Sequence, residues 1–336
     1  MRRDPAAGAD GSVRTIAVLG CADIARRRVL PVLSSGRSRW RLTHVASRDP
    51  ATAAALAAEH GARPASYDQV LEDPAVDAVY LPLPNALHAP WARRALSAGK
   101  HVLAEKPLTG DAATSRGLLD QARAGGLALE ENVLFVHHRQ TRVLRRLVQA
   151  GAVGRVRAVT ARFCVPARPA GDVRHRRDLG GGALLDTGVY PLRAALTLLG
   201  RRLEVVGAVL DEAPGGVDLG GSALLLAPDG ATASVTFGMA HGYVSDVEVH
   251  GEEGLLRLAS AFTPGPDAAP ELDLLRGGRR RRIRLAPHDH VRATLDHFAA
   301  AVDHGTSLLA DDVLAEAELL DAVRRHARRP APSTGS

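Results

Sequence analysis

Only two lysines occur in this chain, and they stand six residues apart in SAGKHVLAEKPL (97–108), at Lys100 and Lys106. Of the 43 residues counted as Lys plus Arg, the other 41 are Arg. The two side chains do different chemistry. The Arg guanidinium is a planar fork that stays charged, whereas the Lys ammonium is compact and its pKa falls readily on burial, so it exchanges protons near neutrality. A Lys kept where nearly every other positive charge is Arg is a candidate acid–base group. Lys106 follows the apolar run HVLAE (101–105) as Glu105-Lys106-Pro107, at the C-terminal edge of a predicted strand, where open parallel sheets bind ligands. Its competing reading is a surface ion pair with Glu105. Lys100 follows the helix-stopping Gly99 and reads as a solvated charge at a helix–strand junction.

A second chemical signal opens the chain. The apolar run VRTIAVLG (13–20) leads into Gly20-Cys21-Ala22-Asp23-Ile24-Ala25 and a helix. That is where the dinucleotide fingerprint G-x-G-x-x-G/A belongs, with phosphates received by amides at a helix N-terminus. Ala22 departs from the second Gly and adds one methyl near the pyrophosphate. The competing reading is a tight strand–helix turn without a ligand. The second predicted strand, RLTHVAS (41–47), ends in Ser47-Arg48, not in the acid that binds the ribose hydroxyls of NAD. Ser plus Arg suits the 2′-phosphate of NADP. Asp49 reads better as the N-cap of a helix beginning at Pro50 and stopping at Gly61.

These residues need a scaffold that brings strand ends together. Through residue 138, short apolar runs (13–20, 41–47, 76–84, 101–105, 127–138) alternate with helical patterns, which implies βαβ units and a parallel sheet. After about residue 155 the rhythm becomes strands at 155–165, 203–211, 222–237, 243–251 and 254–260, joined by short turns such as PDG. That pattern fits an antiparallel sheet, interrupted by one long helix over 183–199. The predicted division is a tail over 1–12, a Rossmann domain over 13–138, an α+β substrate and oligomerisation domain over 139–310, a helix over 311–328 packing back on the first domain, and a tail over 329–336. The adjacent His137 and His138 invite a metal reading, but neighbouring strand residues point to opposite faces. RGGRRRRIRL (276–285) reads as a hairpin turn with solvated charges.

Bulk composition excludes several classes. At 336 residues the chain suits two domains, and 46% hydrophobic with 24% charged residues describes an ordinary globular protein. Net charge is +6, but the arginines are spread and only Arg279–Arg282 is dense, unlike a nucleic-acid face with interleaved aromatics. Cys21 and Cys164 form no CxxC pair, so neither a disulfide framework nor a zinc site is indicated. No run of eighteen apolar residues exists, and the start lacks the apolar core of a secretory signal. The expectation is a cytoplasmic protein with no nucleic-acid or membrane partner.

A Rossmann pattern followed by AEKPL (104–108) and GGGALLDTGVYPL (180–192) resembles the glucose–fructose oxidoreductase / inositol dehydrogenase family, over about residues 13–328. More narrowly, GCADIARRRVLP (20–31), ENVLFVHH (131–138), GDVRHRRDLGGGALLDTGVYPLRAAL (171–196) and TFGMAHGY (236–243) resemble the NDP-hexose 3-ketoreductases of deoxysugar pathways in antibiotic biosynthesis. The resemblance implies NADPH-dependent reduction of the carbon-3 ketone of a dTDP-linked 3,4-diketo-2,6-dideoxyhexose, with no metal. It makes Lys106 catalytic and Tyr190, in the D-x-G-x-Tyr version of the motif, a second acid–base group. Asp186, four residues before Tyr190 on one helical face, is expected to hold Lys106 or the nicotinamide end. Gly20, Cys21, Ala22, Asp23, Ile24, Ser47, Arg48, Tyr67, Leu83, His88, Glu105, Lys106, Arg174 and Asp186 form the expected cofactor set. Arg27, Lys106, Asp186, Tyr190, Tyr243 and Thr263 form the expected substrate set. Arg27 also reads as a solvated helix charge and Tyr243 as ordinary sheet surface. The resemblance further suggests a homodimer or homotetramer. Alternatives are a family dehydrogenase of a free sugar or dihydrodiol, and an NADP-sensing protein without catalysis.

Overall fold

The computed structural model describes residues 13–213 and 216–329. The expected tails therefore lie, Arg329 excepted, outside the described residues. The chain divides into two compact units.

The first unit gathers residues up to Leu108, Ala113–Asn132 and Val291–Ala310. Its sheet comprises β1 (Arg14–Leu19), β2 (Trp40–Ala46), β3 (Arg63–Ala65), β4 (Ala78–Leu81), β5 (His101–Ala104) and β6 (Leu129–Glu131). All pairings are parallel, in the order β3-β2-β1-β4-β5-β6. Strands buried on both faces read as continuous apolar runs, and β4 is buried throughout. Strand order reverses between β1 and β4, the position at which such sheets open a ligand crevice. Two helices of this unit start at side-chain caps. Asp49 accepts from the amides of Ala51 (3.1 Å) and Thr52 (3.3 Å) at the head of α2 (Pro50–Glu59). Ser66 and Gln69 form a capping box at α3 (Tyr67–Glu72). Helices α1 (23–34), α4 (Asn85–Ser97) and α5 (Ala112–Gly125) follow β1, β4 and β5.

Three expectations need correction here. β3 has no counterpart among the predicted strands; it is three residues long and contains Pro64, which suits an edge and leaves little alternation to read. The predicted strand over 127–138 is paired only at Leu129–Glu131, and Leu134–His137 is a 3₁₀ turn. Lys100 is not solvated: it is 5% exposed, and its Nζ donates to the carbonyls of Asp73 (2.6 Å) and Val76 (2.8 Å). The segment before β4 folds over it, a long-range event that the Gly99 stop signal does not encode.

Helix α8 (His290–His304) also packs within this unit. Phe298 stacks on Trp40 at 4.9 Å, the Trp40 indole donates to Leu295 O (2.9 Å), and Asp303 takes Arg14 and Arg39.

The second unit comprises Thr109–Ala112, Val133–His290 and the residues from Asp311 onward. Its nine-stranded sheet runs β14-β13-β12-β11-β7-β10-β9-β8-β15. The strands are β7 (Val156–Cys164), β8 (Glu204–Glu212), β9 (Asp218–Leu226), β10 (Thr232–Gly238), β11 (Val244–Gly251), β12 (Gly254–Ala259), β13 (Glu271–Arg276), β14 (Arg279–Arg284) and β15 (Ala327–Arg328). Pairing is antiparallel except between β10 and β7 and between β15 and β8. Burial alternates along the strands, as expected for a sheet with one covered face. Helices α6 (Arg139–Gln149), α7 (184–199) and α9 (Ala310–His326) belong to this unit. Leu192 and Leu196 of α7 and Leu319, Leu320 and Val323 of α9 join Val159, Val235, Phe237 and Val247 in its core.

Thus α8 lies with the first unit and α9 with the second, the reverse of the sequence expectation. Both helices are amphipathic, and periodicity says that a face is buried but not against what. Within α9, Glu316 pairs with fully buried Arg193, and Asp321 accepts from the Ala112 amide (3.0 Å). The Arg run is also more than a turn. After Gly277 and Gly278 it forms edge strand β14, whose Arg280, Arg282 and Arg284 pair with Asp273 and Glu271 of β13. A charged edge resists pairing with another sheet. No helix among the described residues is long and apolar enough to cross a membrane.

His138 is no strand residue. It caps α6, its Nδ1 accepting from the Gln140 amide at 3.1 Å, and it is fully buried with the ring of His288 5.1 Å away. Burial, reinforced by the charge of His288 and of Arg142, lowers its pKa to about 4. His101 in the first unit is likewise lowered to about 4, by burial and then by Arg14. Their ordinary value is 6.5. Above pH 6.5 folded and unfolded chains are both neutral at these sites. As pH falls from 6.5 toward 4, the unfolded chain takes up protons that the folded chain refuses, so stability falls across that window. Melting temperatures at pH 7, 6, 5 and 4.5 are expected to decrease stepwise. A flat profile down to pH 4.5 would overturn this assignment.

Candidate active site

In the first unit, the C-terminal ends of β1, β2, β4 and β5 present the expected cofactor residues. Gly20 ends β1 at φ +127°, and a Cβ there would meet Pro82 O at 2.7 Å and Leu83 Cδ2 at 3.0 Å. Only Gly lets the β1 turn pass this close to the loop after β4. Helix α1 begins at Asp23 and is π-helical over Ala25–Val29, with the Ala22 carbonyl accepting from the Arg26 amide at 3.1 Å. Its first amides have no partner inside the helix and face the turn. A π-helical turn within an α-helix commonly marks a functional segment. Arg27 lies on the exposed face of α1, paired with Asp23 at 2.5 Å.

Cys21, Ser47, Arg48 and Tyr67 come together at the end of β2. Burial pushes the Cys21 thiol up, opposed by a hydrogen bond with the Ser47 side chain. Burial pushes the Tyr67 phenol up as well, with Cys21 adding to the effect and the Arg48 guanidinium opposing it. Tyr67 packs edge-on against Trp91 at 4.7 Å, and Arg94 covers the other ring at 4.3 Å. The notch at Gly20, the open helix start and a cation beside a half-buried aromatic ring fit a dinucleotide with an extra phosphate on its adenosine end.

At β5, Glu105 and Pro107 are buried and Lys106 is half-buried between them. Glu105 Oε1 accepts from the Tyr80 hydroxyl (2.6 Å) and from Asn132 Nδ2 (2.5 Å). Glu105 thereby anchors the strand end that presents Lys106. His88 is fully buried, with Nδ1 2.8 Å from Pro107 O and Nε2 2.7 Å from Leu83 O. Burial lowers its pKa, opposed by those two carbonyls. Its ring ties the loop after β4 to the Lys106–Pro107 turn. The sequence does not mark Tyr80 or Asn132 as site residues; a Tyr inside an apolar strand carries no sign that its hydroxyl meets Glu105.

In the second unit, the motif residues lie on α7, but not on a regular α-helix. Leu184–Gly188 is π-helical and Val189–Leu199 is α-helical. The predicted i, i+4 alignment of Asp186 with Tyr190 is therefore replaced by a widened turn. Asp186 instead receives Arg174 Nε at 2.6 Å, and Arg174 also reaches Asp172 at 3.1 Å. Burial alone would lower the Arg174 pKa, but Asp186 and Asp172 hold it above its ordinary value. The Tyr190 ring sits among Phe163 (4.7 Å), Phe262 (5.7 Å) and Phe135 (6.0 Å). The chain has five Phe in all, and three of them surround this ring. Rings on several sides leave the Tyr190 hydroxyl few orientations. The Tyr243 hydroxyl lies 3.3 Å from Thr263 Oγ1, on an exposed part of the sheet.

Comparison with known proteins gives the site a context. Residues 14–132 match the profile described as oxidoreductase family, NAD-binding Rossmann fold, and residues 141–257 match the GFO/IDH/MocA C-terminal domain. A dTDP-3,4-didehydro-2,6-dideoxy-alpha-D-glucose 3-reductase of Streptomyces violaceoruber is 50% identical over 326 residues, 93% of this chain and 95% of that protein. The reductase of the same name from Actinomadura kijaniata is 44% identical over 317 residues, 93% and 95% of the two chains. A crystal structure of a 3-ketoreductase from Actinomadura kijaniata in complex with NADP and TDP-benzene superimposes with a TM-score of 0.91 at 44% identity, covering 94% of this chain and 98% of that one.

Proposed function

The chain belongs to the Gfo/Idh/MocA family of oxidoreductases, and on that premise we propose that it is an NADPH-dependent 3-ketoreductase of a dTDP-linked sugar. The reaction reduces the carbon-3 ketone of a dTDP-3,4-diketo-2,6-dideoxyhexose to the alcohol. The carrying observation is near-full-length identity of 50% to a reductase of that name, in a chain that retains Lys106, Asp186 and Tyr190. When bound, NADPH supplies the hydride to carbon 3.

Everything else falls to the chain's own residues. Reduction leaves negative charge on the ketone oxygen, which must be stabilised and protonated. Lys106 polarises that oxygen as an ammonium and gives it a proton. Tyr190 is the second acid–base group and shares or relays the proton. Asp186, held by Arg174, orients the reacting end. Ser47 and Arg48 take the 2′-phosphate, the turn from Gly20 to Ile24 takes the pyrophosphate, and Tyr243 with Thr263 meets the substrate nucleotide. Deoxysugar biosynthesis in the cytoplasm by a homodimer or homotetramer belongs to the same reading.

Steady-state assays with NADPH test it. The dTDP-linked diketosugar is expected to be reduced with kcat/KM at least about 100-fold above that of a free ketose, because loss of charged contacts to the diphosphate costs about 1.5–3 kcal/mol each. NADPH is expected to be preferred to NADH, and Arg48→Asp to remove that preference. Equal turnover of free and nucleotide-linked sugars would overturn the proposal in favour of a free-sugar dehydrogenase.

A further inference from the structure

One carboxylate outside the proposed machinery is built into it. Asp218 opens β9, 34 residues away from Leu184 in sequence, yet its Oδ2 accepts from the Leu184 amide at 2.5 Å. Leu184 is the first residue of the π-helical segment that carries Asp186. The same carboxylate fills the notch left by Gly182: a Cβ at Gly182 would overlap Asp218 Oδ1, and Gly182 holds φ +114°. Gly182 in turn donates its amide to Arg174 O (3.0 Å), while its carbonyl accepts from the Asp186 amide (3.1 Å). The circuit closes through the side chains, where Arg174 Nε meets Asp186 Oδ2 at 2.6 Å. Every bond in this ring lies within the second unit.

We propose that Asp218 is the positioning residue that sets where the Asp186–Tyr190 segment begins and how it turns. The inference rests on the functional reading above for the role of that segment. A helix start has amides without internal partners. Here the sheet supplies the acceptor, so the segment is registered against β9 and not only against its own chain neighbours. With the Leu184 amide unbound, the first turn is free to fray or to regularise toward an α-helix, and either change rotates Asp186 away from Arg174. Displacements of about 1 Å at groups that orient a reaction cost on the order of 100-fold in rate.

The test uses Asp218→Ala and Asp218→Asn in the full chain. Asn keeps a side-chain oxygen for the Leu184 amide; Ala does not. Asp218→Ala is expected to lower kcat about 100-fold, leave the Kd for NADPH within threefold, and remove amide-exchange protection at residues 183–187. Asp218→Asn is expected to restore both protection and most of kcat. Should the Ala variant not fold, Asp218→Val, which withdraws the acceptor while keeping side-chain volume, replaces it. The proposal is overturned if the Ala variant keeps kcat within threefold of wild type, or if Asn rescues neither protection nor rate. If the unmodified chain does not reduce the dTDP-linked sugar, the functional reading fails on its own. The exchange measurement, which needs no substrate, then still decides the role of Asp218.

Discussion

Lys106→Met lowers kcat/KM about 10³-fold or more while the Kd for NADPH stays within about threefold: that is the expected result at the centre of this site. General acid catalysis contributes about 10²–10⁴-fold, and on the proposed reading one group both polarises the ketone and supplies the proton, which places the loss toward the upper part of that range. Met retains the length and apolar stem of Lys, so the turn after β5 keeps its packing between buried Glu105 and Pro107. On the proposed reading the dinucleotide is held chiefly by the turn at Gly20 and by the end of β2, which the substitution does not touch. Lys106→Arg is expected to recover little, because a guanidinium keeps the charge but does not release its proton near neutrality. Tyr190→Phe is expected to cost less, about 10–100-fold, as loss of a second acid–base group. Stopped-flow reduction and fluorescence titration with NADPH separate turnover from binding. A Lys106→Met enzyme retaining a tenth of wild-type kcat/KM would remove Lys106 from the chemistry.

Glu316→Ala is expected to destabilise the second unit by about 3–5 kcal/mol, the scale for breaking a buried pair from one side. Arg193 on α7 and Glu316 on α9 are each 2% exposed at the side chain, and they join the two helices inside an apolar core. Removing the carboxylate leaves the guanidinium charged, because Arg does not deprotonate in proteins, and buried without its counter-ion. At about 2–4 °C per kcal/mol for a unit of this size, the melting temperature should fall by roughly 10 °C. The double change Arg193→Met with Glu316→Leu should recover most of that loss, since apolar residues of similar volume replace buried ion pairs at little net cost. Urea unfolding of the wild type and the two variants measures both effects. A shift below about 1 kcal/mol for Glu316→Ala would show that the pair is not desolvated in solution.

The two predictions differ in how visible their residues were. Lys106 was legible because its chemistry is local: a titratable ammonium in a chain of arginines, directly after an apolar strand. Asp49 was legible for the same reason, since a cap acts within three residues. Arg193 and Glu316 were not, although both appear in plainly helical patterns. A charge on a helix is ordinarily solvated, and nothing within a turn of either residue says that it faces the other.

The sequence by itself determined the two-unit α/β plan, the parallel order of apolar strands, the tight glycine turn at Gly20, the Ser47–Arg48 pair and the motif residues Lys106, Asp186 and Tyr190. All of these are properties of short windows, where strand and helix periods, capping and side-chain chemistry act between near neighbours. The tertiary structure decided that Lys100 is buried on two carbonyls, that α8 and α9 dock on different units, that Glu105 is anchored by Tyr80 and Asn132, and that Asp218 meets Leu184. Each of these joins groups brought together only by folding, and which partner a buried polar atom finds depends on chain packing across dozens of residues.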